Sequence, residues 1–191
     1  TTDLAALTTT QMAGLTSAQL GALTTTQVVG LESTDVGVLS ATQLKGLSSA
    51  QVAALTTTQL GAMSSTQVGS LAAAQLAGLN TTQIGALSTT QVGGLSSTQV
   101  AALSTAQLRG LETTDLAVLS TTQMRGLTSA QLGSLTTTQL GALATSQVAA
   151  LATNQLSGLT TTQVAALTTT QIGGLSASQL GALSTAQVRG L

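Results

Sequence analysis

The sequence predicts an all-α repeat solenoid of very short capped helices, one in each octapeptide, stacked into an elongated rod. Three observations predict this class. The octad L-[S/T]-x-x-Q-[V/L/I]-[A/G]-[A/G] repeats along the whole chain without insertion or deletion. A helix-capping motif recurs in phase with it, and all 20 glycines occupy the two octad positions before the leucine. Such regularity is typical of stacked, equivalent units.

The register of the octad is set by two columns of residues. Leucine recurs every eight residues from Leu7 to Leu191, with Met63 as the one exception. Of the 24 positions in the glutamine column, 21 hold Gln and three hold Asp, namely Asp3, Asp35 and Asp115. We therefore interpret residues 1–191 as a single uninterrupted array.

A longer period of 80 residues lies on top of the octad. The segment ESTD at residues 32–35 recurs as ETTD, so residues 32–111 and 112–191 form two superrepeats of ten octads. Residues 1–31 form a partial copy. Because the chain begins without Met and stops on a repeat boundary, we expect it to be a segment of a longer array.

The spacing of the large apolar residues favours a helical turn in each octad. Leu159 and Val164 are five residues apart and Leu167 follows three residues later, so a strand would send Leu and Val to opposite faces. Thr160 and Gln163 have the capping-box spacing, and Leu159 with Val164 has the spacing of a hydrophobic staple. A β-solenoid is the alternative, since Thr and Val favour strands.

Glycine before the leucine has two interpretations. Glycine ends many helices because it adopts a left-handed backbone without steric cost. Alanine alternates with it at the same positions, so that conformation is not required in every unit. Close packing between neighbouring coils would also demand small residues there.

The composition excludes most chemistry. The chain has no His and no Cys, which excludes imidazole and thiolate metal sites and the common nucleophilic triads. Charged residues make up 5% and the net charge is −1, so no basic field exists for nucleic acid. No apolar run is long enough to insert into a membrane. We expect no enzyme activity, no cofactor and no bound metal.

The few charged residues are the candidate contacts for register and self-association. Glu112 and Asp115 occupy the cap and third helical positions, which we interpret as an acidic variant of the cap favoured by the helix dipole. A calcium site and an acid–base pair are weaker alternatives. We predict that Arg109, Glu112, Asp115 and Arg125 cluster or meet charges on an adjacent copy. The full candidate set is Glu32, Asp35, Lys45, Arg109, Glu112, Asp115, Arg125 and Arg189.

Two uncharged groups complete the candidate surfaces. The glutamine column either caps helices and forms stacked amide hydrogen bonds inside the solenoid, or forms a ladder that faces a ligand. The regular Ser/Thr face suits three roles: packing against copies of the chain, a solvated or glycosylated wall, or a match to a periodic ligand such as ice or a polysaccharide.

The octad resembles the L-[S/T]-T-x-Q-V-x-A-L arrays of very large bacterial surface and secreted proteins of adhesin-like or haemolysin type. Those arrays also contain L-E-T-x-D units, as residues 111–115 do here. The resemblance covers the whole chain and implies an extracellular or cell-surface structural array. It supplies no catalytic residue, and the glycine-aspartate calcium repeats that accompany such proteins are absent.

Together these observations predict a structural protein: an extracellular rod, stalk, sheath or filament whose partner is a second copy of itself. The alternative is a binding module in which the Thr/Ser face contacts a glycan or ice.

Overall fold

The computed structural model describes residue 4 and residues 6–191, so Asp3 lies outside the described residues. The chain divides into two compact units, Thr1–Leu95 and Ser96–Leu191. Each unit is a succession of helices of four to six residues, one in each octad.

The helices of the first unit are α1 Thr9–Ala13, α2 Ser17–Gly21, α3 Thr25–Val29, α4 Ser33–Gly37, α5 Ala41–Gly46, α6 Ser49–Ala54, α7 Thr57–Gly61, α8 Ser65–Ser70, α9 Ala73–Ala77, α10 Thr81–Gly85 and α11 Thr89–Gly93.

The helices of the second unit are α12 Ser97–Ala102, α13 Thr105–Arg109, α14 Thr113–Ala117, α15 Thr121–Gly126, α16 Ser129–Ser134, α17 Thr137–Gly141, α18 Thr145–Ala149, α19 Thr153–Leu156, α20 Thr161–Ala165, α21 Thr169–Gly173, α22 Ala177–Gly181 and α23 Thr185–Val188. The described residues contain no strand. The all-α prediction is confirmed and the β-solenoid alternative is wrong.

The capping box starts the helices, as predicted. At α20, the N–H of Gln163 donates to Thr160 Oγ1 at 3.1 Å, and the N–H of Thr160 donates to Gln163 Oε1 at 2.8 Å. Thr160 itself is extended, with φ −72° and ψ 161°. These two bonds satisfy two of the N–H groups that a helix start leaves without a partner.

Where the cap residue is alanine, half of the box remains. Ala72 precedes α9, and its N–H still donates to Gln75 Oε1 at 2.7 Å. The N–H of Gln75 turns instead to the carbonyl of Ala72 at 2.9 Å. Ala144 and Ala152 precede α18 and α19 in the same way. At these three helices the glutamine half of the box is kept although the hydroxyl half is lost.

The helices end without a left-handed residue, so that interpretation of the glycines is wrong. No described residue, glycine or other, has a positive φ. The chain turns through extended residues: after α6, Leu55 has φ −59° and ψ 138°, and Thr56 has φ −73° and ψ 160°. Ala is tolerated in place of Gly for this reason.

Close packing between coils explains several of the glycines. A Cβ added to Gly46 would lie 2.5 Å from the carbonyl oxygen of Ser17, and one added to Gly21 would lie 2.7 Å from that of Gly46. Neither approach is possible for a larger residue without movement of the backbone. At Gly61 and Gly141, by contrast, nothing lies within 4 Å of such a Cβ. The packing interpretation is thus confirmed at part of the positions.

The core consists of the two apolar columns. Leu159 is 4% exposed and Val164 is 0% exposed, as the staple predicts. Most of their equivalents are buried in both units, and the less buried ones lie among the first and the last described octads.

We call one turn of the solenoid a coil. Successive coils stack with a period close to three and a half octads. Helices three apart pack against each other in each unit, as α2 does with α5 and α12 with α15. Gln51 of α6 bonds the end of α2, four helices earlier, and reaches the carbonyl of Leu23 across 28 residues. Each helix thus lies over the junction between two helices of the preceding coil.

The glutamine side chains join these coils. Gln51 Oε1 accepts from the N–H of Ser48 at 2.7 Å, while its Nε2 donates to the carbonyls of Leu23 at 2.6 Å and Leu20 at 3.0 Å. We call this arrangement the glutamine clamp. In the described stack it recurs at Gln43, Gln59, Gln67, Gln75, Gln83, Gln91, Gln131, Gln139, Gln147, Gln155, Gln163, Gln171, Gln179 and Gln187.

The clamp settles the role of the glutamine column inside the coils. These side chains are buried, with Gln51 3% exposed. The predicted capping and interior placement are confirmed, but the partners are backbone carbonyls and not stacked amides. Every buried side-chain nitrogen and oxygen in the described residues has a hydrogen-bond partner. A ligand-facing ladder is therefore wrong for the clamped glutamines.

Removal of one clamp should lower the free energy of unfolding more than removal of the hydroxyl cap beside it. Thr56→Ala, before α7, should lower the free energy of unfolding by about 1 kcal/mol. Gln59→Ala leaves the N–H of Thr56 and the carbonyl of Leu31 without their present partners. It should cost roughly 2–4 kcal/mol.

Urea unfolding followed by circular dichroism measures both changes, with Thr56→Ala as the matched control in the same helix. An equal or smaller loss in Gln59→Ala would contradict the clamp.

Candidate functional site

The two acidic positions form a modified cap within their own helices. At α4, the N–H of Glu32 donates to Asp35 Oδ2 at 3.2 Å, and at α14 the N–H of Glu112 donates to Asp115 Oδ2 at 3.0 Å. Asp35 and Asp115 are each 3% exposed, while Glu32 and Glu112 are exposed and their side chains make no cap bond. The acidic-cap interpretation is confirmed for the aspartates.

The aspartates lack the second half of the clamp. A carboxylate has only acceptor atoms when ionised, and Asp is one methylene shorter than Gln. Asp35 and Asp115 can therefore hold their own helix start but cannot donate to a carbonyl of another coil. Their octads therefore lack the side-chain hydrogen bond to another coil that the clamped octads have.

Burial perturbs the pKa of the Asp115 carboxyl. Desolvation raises the pKa of the Asp115 carboxyl above its ordinary value of 3.8, and the nearby Glu112 carboxylate raises it further. The hydrogen bond from the Glu112 N–H acts in the opposite direction. Desolvation is the largest of the three causes, because Asp115 is only 3% exposed.

The basic residues all lie at one octad position, in or directly after the last helical turn. Lys45, Arg109, Arg125 and Arg189 are exposed. Arg125 Nε donates to the carbonyl of Ala150 at 3.2 Å, so this side chain reaches a backbone group of another helix in its unit. Contact of these charges with a second copy stays a prediction.

Each unit has an exposed wall of small residues that are nearly all uncharged. We define the outer wall as the residue before each helix and the second residue within it, such as Thr56 and Thr58 at α7. Both positions are exposed at all the helices given above. Apart from Glu32 and Glu112, the outer wall holds only Ser, Thr, Ala and Asn.

Three exposed valines were missed by the sequence reasoning. Val29, Val38 and Val118 are 45%, 42% and 45% exposed. Val38 and Val118 occupy the octad position directly before leucine, which otherwise holds only Gly, Ala or Ser, and they are one superrepeat apart. This departure from the octad pattern is the sequence signal that could have identified them. Val38 is the C-cap residue of α4 and Val118 is that of α14, the two helices with acidic caps.

Two cavities lie in the second unit. One of about 310 Å³ is lined by Leu167, Ile172 and Leu191 with small neighbours. The other, of about 480 Å³, is lined by Arg125, residues 149–153, Ser176, Ser178 and Gln179. Within the described residues no three His, Cys, Asp or Glu side chains are grouped as metal ligands, and none of the described helices is long and apolar enough to cross a membrane.

Short capped helices that stack coil upon coil define an all-α repeat protein of the solenoid class. The family model of the ALTTAQ repeat matches the chain seven times, at residues 1–33, 28–65, 57–89, 85–113, 108–145, 141–177 and 164–191. The chain belongs to the ALTTAQ repeat family. No curated protein matches it.

The raised pKa of Asp115 predicts a specific pH dependence. The folded state binds the proton more tightly than the unfolded state, so this group destabilises the fold once the pH exceeds its unfolded pKa of 3.8. Stability should fall as the pH rises from that value through the folded pKa. Asp115→Asn keeps the acceptor for the Glu112 N–H and should remove this loss.

Urea unfolding from about pH 3 to about pH 7 tests the prediction. Glu112→Gln is the control, because it removes only the smaller cause and should shrink the slope without abolishing it. Identical slopes in the wild-type chain and Asp115→Asn would contradict it.

Proposed function

We propose that the chain is a non-catalytic structural protein that forms an extracellular rod, stalk, sheath or filament by stacking octads and by self-association. The observation that carries the proposal is the use of the glutamines. A glutamine amide can both donate and accept hydrogen bonds. In the clamp, both roles are used to bond the backbone of the chain itself. Their chemistry serves the joining of coils.

The outer wall supports self-association. Its Ser, Thr, Ala and Asn residues are uncharged, and the whole chain has only four basic and five acidic residues. Few like charges therefore oppose the approach of a second copy. The extracellular placement rests on the resemblance to arrays of bacterial surface and secreted proteins.

A length series tests the structural role. A compact chain would have a radius of gyration of about 16 Å at 191 residues and about 18 Å with one further superrepeat. A stacked array should instead gain the same increment in its longest dimension with every copy of residues 112–191 added. X-ray scattering measures both quantities.

The matched control is a scrambled 80-residue block of the same composition, which should not extend the array. Growth that follows the compact law would contradict the proposal. Labelling of intact source cells with an antibody tests the placement, and labelling only after permeabilisation would contradict it.

A binding module is the second candidate. The outer wall favours it, because exposed hydroxyls recur at the same two positions of successive octads in each unit. Such a surface could match a glycan or the surface of ice. Thr58→Lys with Thr82→Lys should then abolish glycan-array binding or thermal hysteresis, while Thr→Ser at both positions should retain it. No signal from the wild-type chain in either assay would exclude this candidate.

A further inference from the structure

The larger of the two cavities, of about 480 Å³, lies across three coils of the second unit. Its lining consists of Arg125 of α15 on one side, residues 149–153 in the middle, and Ser176, Ser178 and Gln179 at α22 on the other side. The helices pack in the same order, α15 against α18 and α19 against α22. The volume lies in the range of roughly 300–1,000 Å³ that is usual for small-molecule sites.

Both sides of the cavity are fixed to consecutive carbonyls of the middle segment. Arg125 Nε donates to the carbonyl of Ala150 at 3.2 Å. Gln179 Nε2 donates to the carbonyls of Ala149 at 2.9 Å and Leu151 at 2.7 Å. Neither side moves away from the middle without breaking one of these bonds, so the cavity is formed before a ligand arrives. A preformed site binds without a large ordering cost.

The two sides offer different hydrogen-bonding groups. The bond from Nε leaves the terminal nitrogens of the Arg125 guanidinium without a partner among the described residues. A guanidinium pairs with a carboxylate through two parallel hydrogen bonds. Opposite it, Ser176 Oγ and Ser178 Oγ lie 3.0 Å apart, and hydroxyls both donate and accept. Among the described helices, α22 alone has serine at both outer-wall positions.

The lining favours a ligand with one negative charge and several hydroxyls. Of the described residues around the cavity, Arg125 is the one that carries a charge. A phosphate monoester carries about −1.5 to −2 charges at pH 7, which a single guanidinium compensates only in part. A carboxylate carries one charge. The methyl groups of Ala149, Ala150 and Ala152 suit the C–H groups of a sugar ring, and the serines suit its hydroxyls.

This combination of groups is particular to Arg125. Arg109 occupies the same octad position, but Ser134 and Thr136 stand where the cavity has alanines. Lys45, one superrepeat before Arg125, ends in an ammonium group, which has no planar fork of donors. Arg109 therefore serves as an internal control.

The cavity opens on the outer wall and not on the face where coils stack. Ser176 and Ser178 hold outer-wall positions. The same positions are exposed at α12, as Ser96 and Thr98, although α15 of the next coil packs against that helix. Arg125 and residues 149–153 likewise belong to coils on which another coil is stacked. Stacking of further coils therefore leaves the cavity accessible.

We propose that this cavity binds the ring of a carboxylated sugar, a uronic acid. The Arg125 guanidinium pairs with the carboxylate, the hydroxyls of Ser176 and Ser178 bond ring hydroxyls, and the alanine methyls contact the ring. The inference goes beyond the structural role, which requires no ligand. It also differs from the binding module considered above, because it is one built pocket and not the repeated outer wall.

Saturation-transfer NMR with glucuronate as the probe tests the site, because it follows the ligand whether or not the chain has assembled. The wild-type chain should bind glucuronate. Glucose, which lacks the carboxylate, should give no signal, and acetate, which lacks the ring, should bind more weakly than glucuronate.

Substitutions of the polar groups locate the site. Arg125→Gln should weaken glucuronate binding on the order of tenfold to a hundredfold. Arg109→Gln makes the same change of charge at the same octad position outside the cavity, and it should bind as the wild-type chain does. Ser178→Ala removes a hydroxyl that has no part in the cap of α22. It should weaken glucuronate binding roughly fivefold and leave acetate binding unchanged.

A steric variant tests the position without removing a polar group. Ala152→Leu fills the cavity and should abolish glucuronate binding. Ala144→Leu is the matched control, since it makes the same change at another exposed alanine cap outside the lining. Circular dichroism of each variant shows whether its helices are retained.

The opposite results are equally specific. Absence of glucuronate binding to the wild-type chain, or equal binding by Arg125→Gln and Arg109→Gln, would overturn the site. Tighter binding of glucose 6-phosphate would overturn the carboxylate as the recognised group, and equal binding of an aspartyl-aspartate dipeptide would overturn the sugar. None of these results affects the length series, so the structural proposal stands or fails separately.

Discussion

The structure depends on the glutamine side chain of the octad, which supplies hydrogen-bond partners to the backbones of two helices at once. A helix has four N–H groups at its start and four carbonyls at its end without partners inside the helix. In helices of four to six residues nearly every backbone group is of that kind. The amide of Gln51 supplies an acceptor to the start of its own helix and a donor to the end of a helix one coil earlier. Burial of this polar group is favourable because both of its functions are satisfied.

The other features of the octad follow from this clamp. The amide reaches carbonyls of the preceding coil only if the coils approach closely, and small residues such as Gly21 and Gly46 permit that approach. The hydroxyl cap is secondary, since Ala72 replaces it while Gln75 remains. Aspartate replaces glutamine at two described positions, Asp35 and Asp115, where the cap is kept and the donor is lost.

The clamp also gives the stacking within each unit a direction. In the clamps described above, the glutamine Nε2 donates to carbonyls of octads that lie earlier in the sequence, as Gln51 does to Leu23, while Oε1 accepts from the N–H of its own cap residue. The hydroxyl cap acts within one octad, as the bond between Thr160 and Gln163 shows. The clamp therefore joins coils, whereas the hydroxyl only helps to start a helix.

The sequence by itself determined what arises within one octad. The capping box, the staple and the helical turn involve residues three to five apart, so spacing alone predicted them, as at Thr160 and Gln163. Only the tertiary structure decided the coil period of about 28 residues, the second partner of Gln51 and the burial that raises the pKa of Asp115. It also replaced the left-handed glycine by close packing at Gly46. These features depend on which octads meet across a coil, and identical octads carry no local signal that distinguishes one neighbour from another.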